Sequence, residues 1–149
     1  MTVTIRNHQR LIKIELRKIR RDSLKLLTLF KLDRAELGVL FVNDRRMETL
    51  NRIYRATDRT TDVLSFPLYH CRREMPAGEE FLLGDIVINA HAARRQASAY
   101  GAGPHEEIRR LLIHGFLHLL GYDHEQSRQE AGKMKRRERT LRVALETVD

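Results

Sequence analysis

Three of the seven histidines in this 149-residue chain lie within the segment HGFLHLLGYDH, at positions 114–124. His114 and His118 are four residues apart, so a helix places both side chains on one face. Gly121 predicts the end of that helix, because glycine adopts the left-handed conformation of a helix end at little cost. The turn that follows brings His124 back toward the pair. The segment therefore predicts a helix, a tight turn and three imidazoles that converge on one point.

Three neutral nitrogen ligands with one position left for water are typical of a catalytic zinc site. Such a metal lowers the pKa of its bound water to about 7 and polarises phosphoryl oxygens. We therefore expect one Zn²⁺ per chain, bound by His114, His118 and His124. Nickel and copper also suit imidazole ligands, and the sequence leaves the native metal open.

Gly115 argues against a protease, although the spacing of the histidines resembles that of a protease family. Metzincin proteases share the pattern H-E-x-x-H-x-x-G-x-x-H, in which the glutamate after the first histidine is the general base. Here Gly115 occupies that position, so the peptidase lacks its proton acceptor. A zinc metallopeptidase is therefore the less favoured alternative.

The charge of the chain favours a polyanionic partner. The formal net charge is +8, and 22 of the 28 basic residues are arginine, whose planar fork binds phosphate. A GC-rich genome would give the same bias. RNA carries a 2′-hydroxyl beside each phosphodiester, and an arginine near the metal would hold the phosphate. Arg55 and Arg59 are candidates, with ordinary surface charge as the alternative.

The order of the elements predicts an α+β domain spanning residues 1–149, a small mixed β-sheet with helices packed on it and the zinc site at a helix end and the following turn. Asp44, Asn89 and Ser127 are expected to begin helices, with Pro104 in the first turn of another. The helix over 10–30 carries a basic face that is either solvated or in contact with phosphate. Predicted strands are 3–5, 36–42, 61–66 and LLGDIVINA, and predicted helices are 10–30, 44–54, 90–100, 104–120 and one from Ser127.

Two carboxylates are candidates for orienting a metal-bound imidazole, since such rings usually donate their other N–H to a carboxylate or carbonyl. They are Asp123, inside the histidine segment, and Asp85, which we expect to be buried at the start of a strand. Asp123 has the alternative role of a turn residue. The four remaining histidines lack ligand spacing and are interpreted as ordinary: His8, His70, His91 and His105.

The chain has the features of a cytoplasmic protein. No apolar run approaches the roughly 18 residues of a membrane helix, and the segment MTVTIRNHQR lacks the apolar core of a secretory signal. The single cysteine, Cys71, fits a reducing compartment and is interpreted as an ordinary loop thiol. We expect no membrane partner.

The histidine segment resembles the signature H-G-x-L-H-L-x-G-Y-D-H of the YbeY family, bacterial metal-dependent endoribonucleases. The stretch LNRIYRATDRTTDVLSFP at 50–67 is similar to the family's Leu-Asn-x-x-Tyr-Arg and Thr-Asp-Val-Leu-Ser-Phe-Pro. LLGDIVI resembles its Leu-Gly-Asp-Ile strand, and EAGKMKRRE resembles its last helix, with Met134 and Glu138 four apart. Ala56 and Thr60 depart from the family, which often has glycine and proline there.

This resemblance implies an α+β fold and a zinc bound by His114, His118 and His124, with His114 and Arg55 contributing to catalysis in a positively charged groove. It further implies cleavage of single-stranded RNA, maturation of ribosomal RNA such as the 16S 3′ end, and ribosome quality control. Ribosomal RNA and the ribosome or its small subunit are therefore the expected partners.

A second class of function stays open beside the nuclease. In it, the metal is structural and the protein is a ribosome-associated RNA-binding factor. The sequence does not specify the cleaved bond, the general base, the partner proteins or the oligomeric state.

Overall fold

A computed structural model describes residues 1–123 and 127–146. The order of strands and helices is the predicted one, with a short 3₁₀ turn added at Arg72–Glu74. The strands are β1 (Thr2–Asn7), β2 (Ala35–Val42), β3 (Val63–Pro67) and β4 (Phe81–Asn89), and the helices are α1 (Leu16–Leu29), α2 (Asp44–Arg55), α3 (Ala90–Ala99), α4 (Pro104–Leu119) and α5 (Arg128–Glu146).

The strands form a four-stranded mixed sheet in the order β1-β2-β4-β3. β1, β2 and β4 run parallel, and β3 pairs with β4 in the antiparallel direction at the sheet edge. With helices packed on this sheet, the prediction of an α+β fold is confirmed.

Helix α4 lies at the centre of the main core. It contacts β3 and β4 and also the helices α1, α3 and α5. Its side chains Ile108, Leu111 and Phe116 are fully buried. The opposite face of the sheet is partly covered by α2, whose Met47 packs in a smaller cluster with Val42. Because α4 carries the two histidines, this packing fixes the helix that bears the site.

The first helix begins later than the sequence suggested. It starts at Leu16, not Arg10, because Gln9 binds the backbone of Ile12: Gln9 Nε2 donates to the Ile12 carbonyl at 2.7 Å, and Ile12 N donates to Gln9 Oε1 at 2.9 Å. Ile12 and Ile14 are buried alternately, as in an extended segment. The predicted helix over 10–30 is therefore wrong at its start, and the basic residues Arg10 and Lys13 lie before α1 and are not part of a helical basic face.

The predicted helix ends are mostly confirmed. Asn89 caps α3 by accepting hydrogen bonds from His91 N and Ala92 N, and Pro104 lies in the first turn of α4. Gly121 follows α4 with a φ of 98°, in the left-handed region. The expectation that Asp44 caps α2 is wrong by one residue: Asn43 is the cap, and its side chain accepts from Arg46 N at 2.8 Å.

Among the described residues, no helix is both long enough and apolar enough to cross a membrane.

Candidate metal and RNA site

His114 and His118 bring their ring nitrogens together on one face of α4. Their Nε2 atoms are 3.1 Å apart, with ring centroids separated by 4.6 Å and planes inclined by 67°. Both side chains are half-buried. The i, i+4 spacing on α4, which is held by its buried apolar side chains, therefore places two imidazole nitrogens close together, as predicted.

The other nitrogen of His114 faces a carboxylate from α5. His114 Nδ1 lies 2.9 Å from Glu138 Oε1. Burial raises the pKa of the Glu138 carboxyl, but the hydrogen bond from His114 and the positive charge of Arg110 outweigh it, so this pKa lies below the ordinary value for glutamate. An ionised carboxylate only accepts hydrogen bonds, so Nδ1 of His114 is the donor in this contact. Its Nε2 is then left with the lone pair that a metal requires.

The distance between the two Nε2 atoms fits a shared zinc. Two nitrogens bound to one tetrahedral zinc at about 2.05 Å lie about 3.3 Å apart, close to the observed 3.1 Å. His124 lies outside the described residues, so its place beside the pair stays a prediction. Within residues 1–123 and 127–146, no group of three histidine, cysteine or carboxylate side chains forms a metal site.

Packing requires a glycine at position 115, which also offers no side chain that could act as a base. A Cβ atom at this position would lie 2.7 Å from Ile86 Cγ2 and 3.2 Å from Ser65 Oγ. The helix thus approaches the sheet so closely that no side chain fits between them. A glutamate at position 115 would point into the sheet and not toward the histidines. This geometry also makes a zinc metallopeptidase the less favoured function.

Ser65 on β3 connects the arginine to the histidine helix. Arg55, at the end of α2, donates from Nη2 to the Ser65 carbonyl at 3.4 Å. The buried Ser65 hydroxyl donates to the Gly115 carbonyl at 3.0 Å. Arg55 is exposed. Its guanidinium is thereby placed beside the site while most of its donors still face solvent.

These residues line an open groove of about 770 Å³, here called the histidine groove. Gly121 lies in its wall, where a Cβ atom would be 2.8 Å from the His70 carbonyl, so glycine is required there for close approach as well as for its φ. The lining includes Arg55, Asp62, Ser65, Tyr69, His70, His114, His118, Gly121, Tyr122 and Asp123.

The remaining candidates divide between the groove and the rest of the surface. Asp123 lines the groove, and its role in orienting an imidazole stays a prediction. Arg59 is exposed and lies outside the lining; its carbonyl accepts from Asn51 Nδ2 at 2.7 Å, which ties down the loop after α2.

The expectation that Asp85 is buried near the site is wrong. Its side chain is exposed and lies over Gly38, on the sheet face opposite α4. Asp85 takes this face because strand residues alternate, and Ile86 is the residue directed toward Gly115.

Two features of the site escaped sequence reasoning. The sequence singles out Glu138 only through the family's last helix, in which it lies four residues after Met134, and this spacing gives it no role. The sequence gives His70 no ligand spacing, yet His70 lines the histidine groove. His91 and His105 pair with carboxylates elsewhere: His91 Nδ1 is 3.9 Å from Asp44 Oδ2, and His105 Nε2 is 3.5 Å from Glu15 Oε1.

A Thermotoga maritima protein with a known solution structure has the same fold. It superposes with a TM-score of 0.67, at 23% identity, over 97% of this chain and 89% of its own.

Sequence comparison is more specific. A protein of Aquifex aeolicus described as endoribonuclease YbeY is 40% identical over 145 residues, covering 91% of each chain. One of the same description from Syntrophus aciditrophicus is 38% identical over 142 residues, covering 95% of this chain and 88% of its own. The family model "Endoribonuclease YbeY" matches residues 3–146. The chain therefore belongs to the YbeY family of endoribonucleases.

Proposed function

We propose that this protein is a zinc-dependent endoribonuclease that cuts single-stranded RNA in the histidine groove. The observation that carries the proposal is the pair of Nε2 atoms 3.1 Å apart, with His114 oriented by Glu138. His124 is the third proposed ligand. When bound, a zinc ion supplies a Lewis acid and lowers the pKa of bound water.

The residues of the groove bind and orient the RNA. Arg55 is anchored through one nitrogen to Ser65 and directs its remaining donors to the groove, where they hold a phosphate and offset charge that develops on it. Single-stranded RNA presents a 2′-hydroxyl beside each phosphodiester. The site therefore needs a well-oriented phosphate more than a nucleophilic side chain.

Ribosomal RNA is the proposed substrate, including the 3′ end of 16S RNA, with a role in ribosome quality control. The net charge of +8 supports association with RNA and with the small ribosomal subunit. The proposed location is the cytoplasm, in keeping with a single free cysteine, Cys71.

Cleavage of a single-stranded RNA by purified wild type, with and without a chelator, tests the proposal. We expect cleavage that the chelator abolishes, that added zinc restores, and that His114→Ala lacks. His105→Ala is the matched control, since it removes the same side chain from the same helix away from the groove, and it should cleave like wild type. Equal cleavage by His114→Ala would mean a contaminating nuclease and would overturn the proposal.

An RNA-binding factor with a structural metal is the competing function. It predicts that the chelator lowers the melting temperature and that wild type binds RNA without cutting it. The open groove beside the histidines favours the nuclease, because a purely structural zinc is enclosed by four protein ligands.

A further inference from the structure

A second depression, of about 550 Å³, adjoins the histidine groove on the side of α5. One wall is the turn at Gly121 and Tyr122, and the other is a basic side of α5. We call the α5 residues Lys133, Arg136 and Arg137 the basic flank. They lie on one side of the helix, about three and four residues apart, and so form a continuous row.

The basic flank carries more positive charge than its neighbours neutralise. Glu130 also lines the depression, and its carboxylate is 3.7 Å from Lys133 Nζ. Within the described part of the chain, Arg136 has no ion-pair partner and is exposed. The Arg137 guanidinium lies 4.8 Å from the centre of the Phe30 ring, which holds it in place. The flank therefore presents Lys133 and Arg136 to solvent, beside an Arg137 guanidinium that Phe30 holds in place.

The flank is continuous with the site. Gly121 and Tyr122 line both depressions. Arg137 also precedes Glu138, the residue that contacts His114. A strand that lies in the histidine groove and passes over the Gly121–Tyr122 turn thus reaches the basic flank.

We propose that the basic flank binds backbone phosphates of the RNA strand outside the cleaved bond, as an extension of the histidine groove. This inference rests on the proposed function. Lysine and arginine in a row beside a groove match the regular charges of a nucleic-acid backbone. The flank then increases the affinity for long RNA without taking part in the chemistry.

The test compares two double variants with the same loss of charge on the same helix. K133Q/R136Q removes two exposed cations of the basic flank. K135Q/R139Q removes two exposed cations from the opposite side of α5, which faces Arg110. Unchanged circular dichroism and melting temperature establish that both variants fold.

Binding is measured by fluorescence anisotropy with 2′-O-methyl RNA, which lacks the free hydroxyl. We use a short RNA of about 4 nucleotides and a long one of about 16. K133Q/R136Q should bind the long RNA roughly fivefold to tenfold more weakly and the short RNA like wild type. The slope of log affinity against log salt should fall by about 1.4, because each single-strand phosphate contact contributes about 0.7. K135Q/R139Q should change neither quantity by as much.

Equal losses in the two variants would mean a general effect of charge and would overturn the proposal. Unchanged affinity of K133Q/R136Q for the long RNA would also overturn it. The proposed function is tested separately. It fails if the wild type does not cut unmodified RNA in a metal-dependent way, whereas the basic flank is tested by binding of 2′-O-methyl RNA, which is not cut.

Discussion

Glu138 on α5 lies 2.9 Å from His114 Nδ1, although 24 residues separate them in the chain. The contact orients the ring so that its Nε2 faces His118 Nε2. It also packs the last helix against the helix that carries the site. One carboxylate thus sets both the tautomer of a proposed ligand and the position of its ring.

Replacing Glu138 should weaken metal binding. We expect Glu138→Ala to lower zinc affinity about 10- to 100-fold, because an unoriented imidazole is a poorer ligand. Glu138→Gln keeps an oxygen acceptor and should lose less. Competition with a chromophoric chelator measures the affinity directly. Glu146→Gln, an exposed site on the same helix, is the control, and a Glu138→Ala protein with wild-type affinity would show that the contact does not serve the metal.

Gly115→Ala should destabilise the fold even though alanine favours helices. The new methyl group would lie 2.7 Å from Ile86 Cγ2, and such overpacking costs about 1–3 kcal/mol. The free energy of unfolding in urea measures this cost.

Gly132→Ala on α5 is the matched control. Among the described residues the added Cβ atom there meets only Arg136 Nη1, at 3.4 Å, so helix propensity should stabilise the protein by about 1 kcal/mol. In an Ile86→Ala background the cost of Gly115→Ala should shrink. An equal cost in both backgrounds would contradict the proposed clash.

Ala56→Gly should stabilise the protein. Ala56 ends α2 with a φ of 53° and a ψ of 34°, a left-handed conformation, and its side chain is exposed. Removing the Cβ atom relieves about 1 kcal/mol of strain with little loss of packing. Ala99→Gly, near the end of α3 with right-handed backbone, should instead cost about 1 kcal/mol. Thermal unfolding measures both effects. Melting temperatures that shift in the same direction in the two variants would contradict the strain assigned to Ala56.

Acid should remove the stabilisation that Asp44 provides. Hydrogen bonds from Arg95, and with them one from Asn89, hold the pKa of Asp44 at about 2, below its ordinary value of 3.8. A depressed pKa in the folded state gives stability above about pH 4 that is lost as the pH falls toward 2. Because solvent screens this partly exposed pair, the contribution is about 1 kcal/mol.

Urea unfolding of wild type and Asp44→Asn between about pH 2 and 6 tests this dependence. The difference in unfolding free energy should be largest near the upper end and fall to a small fraction of that value near the lower end, where Asp44 is half protonated. A difference that stays constant over this range would contradict the assigned cause.

Local spacing predicted the local geometry of the site. The i, i+4 histidines, the helix end at Gly121 and the cap at Asn89 follow from contacts within a few residues. The contacts of Glu138 and Ser65 with α4 could not be predicted in this way, because both residues lie on other elements and reach α4 only through the packing of the whole domain. Asp85 was misplaced because strand alternation, rather than apolar neighbours, decides which face a residue takes. The start of α1 was misplaced because Gln9 binds the backbone of Ile12 in place of a helical turn.

A crystal structure with data collected at the zinc absorption edge would locate the metal itself. We expect one anomalous peak per chain, about 2.1 Å from Nε2 of His114 and of His118 and from one nitrogen of His124, with a water at the fourth position. A peak elsewhere, or a fourth protein side chain bound to the metal, would contradict it.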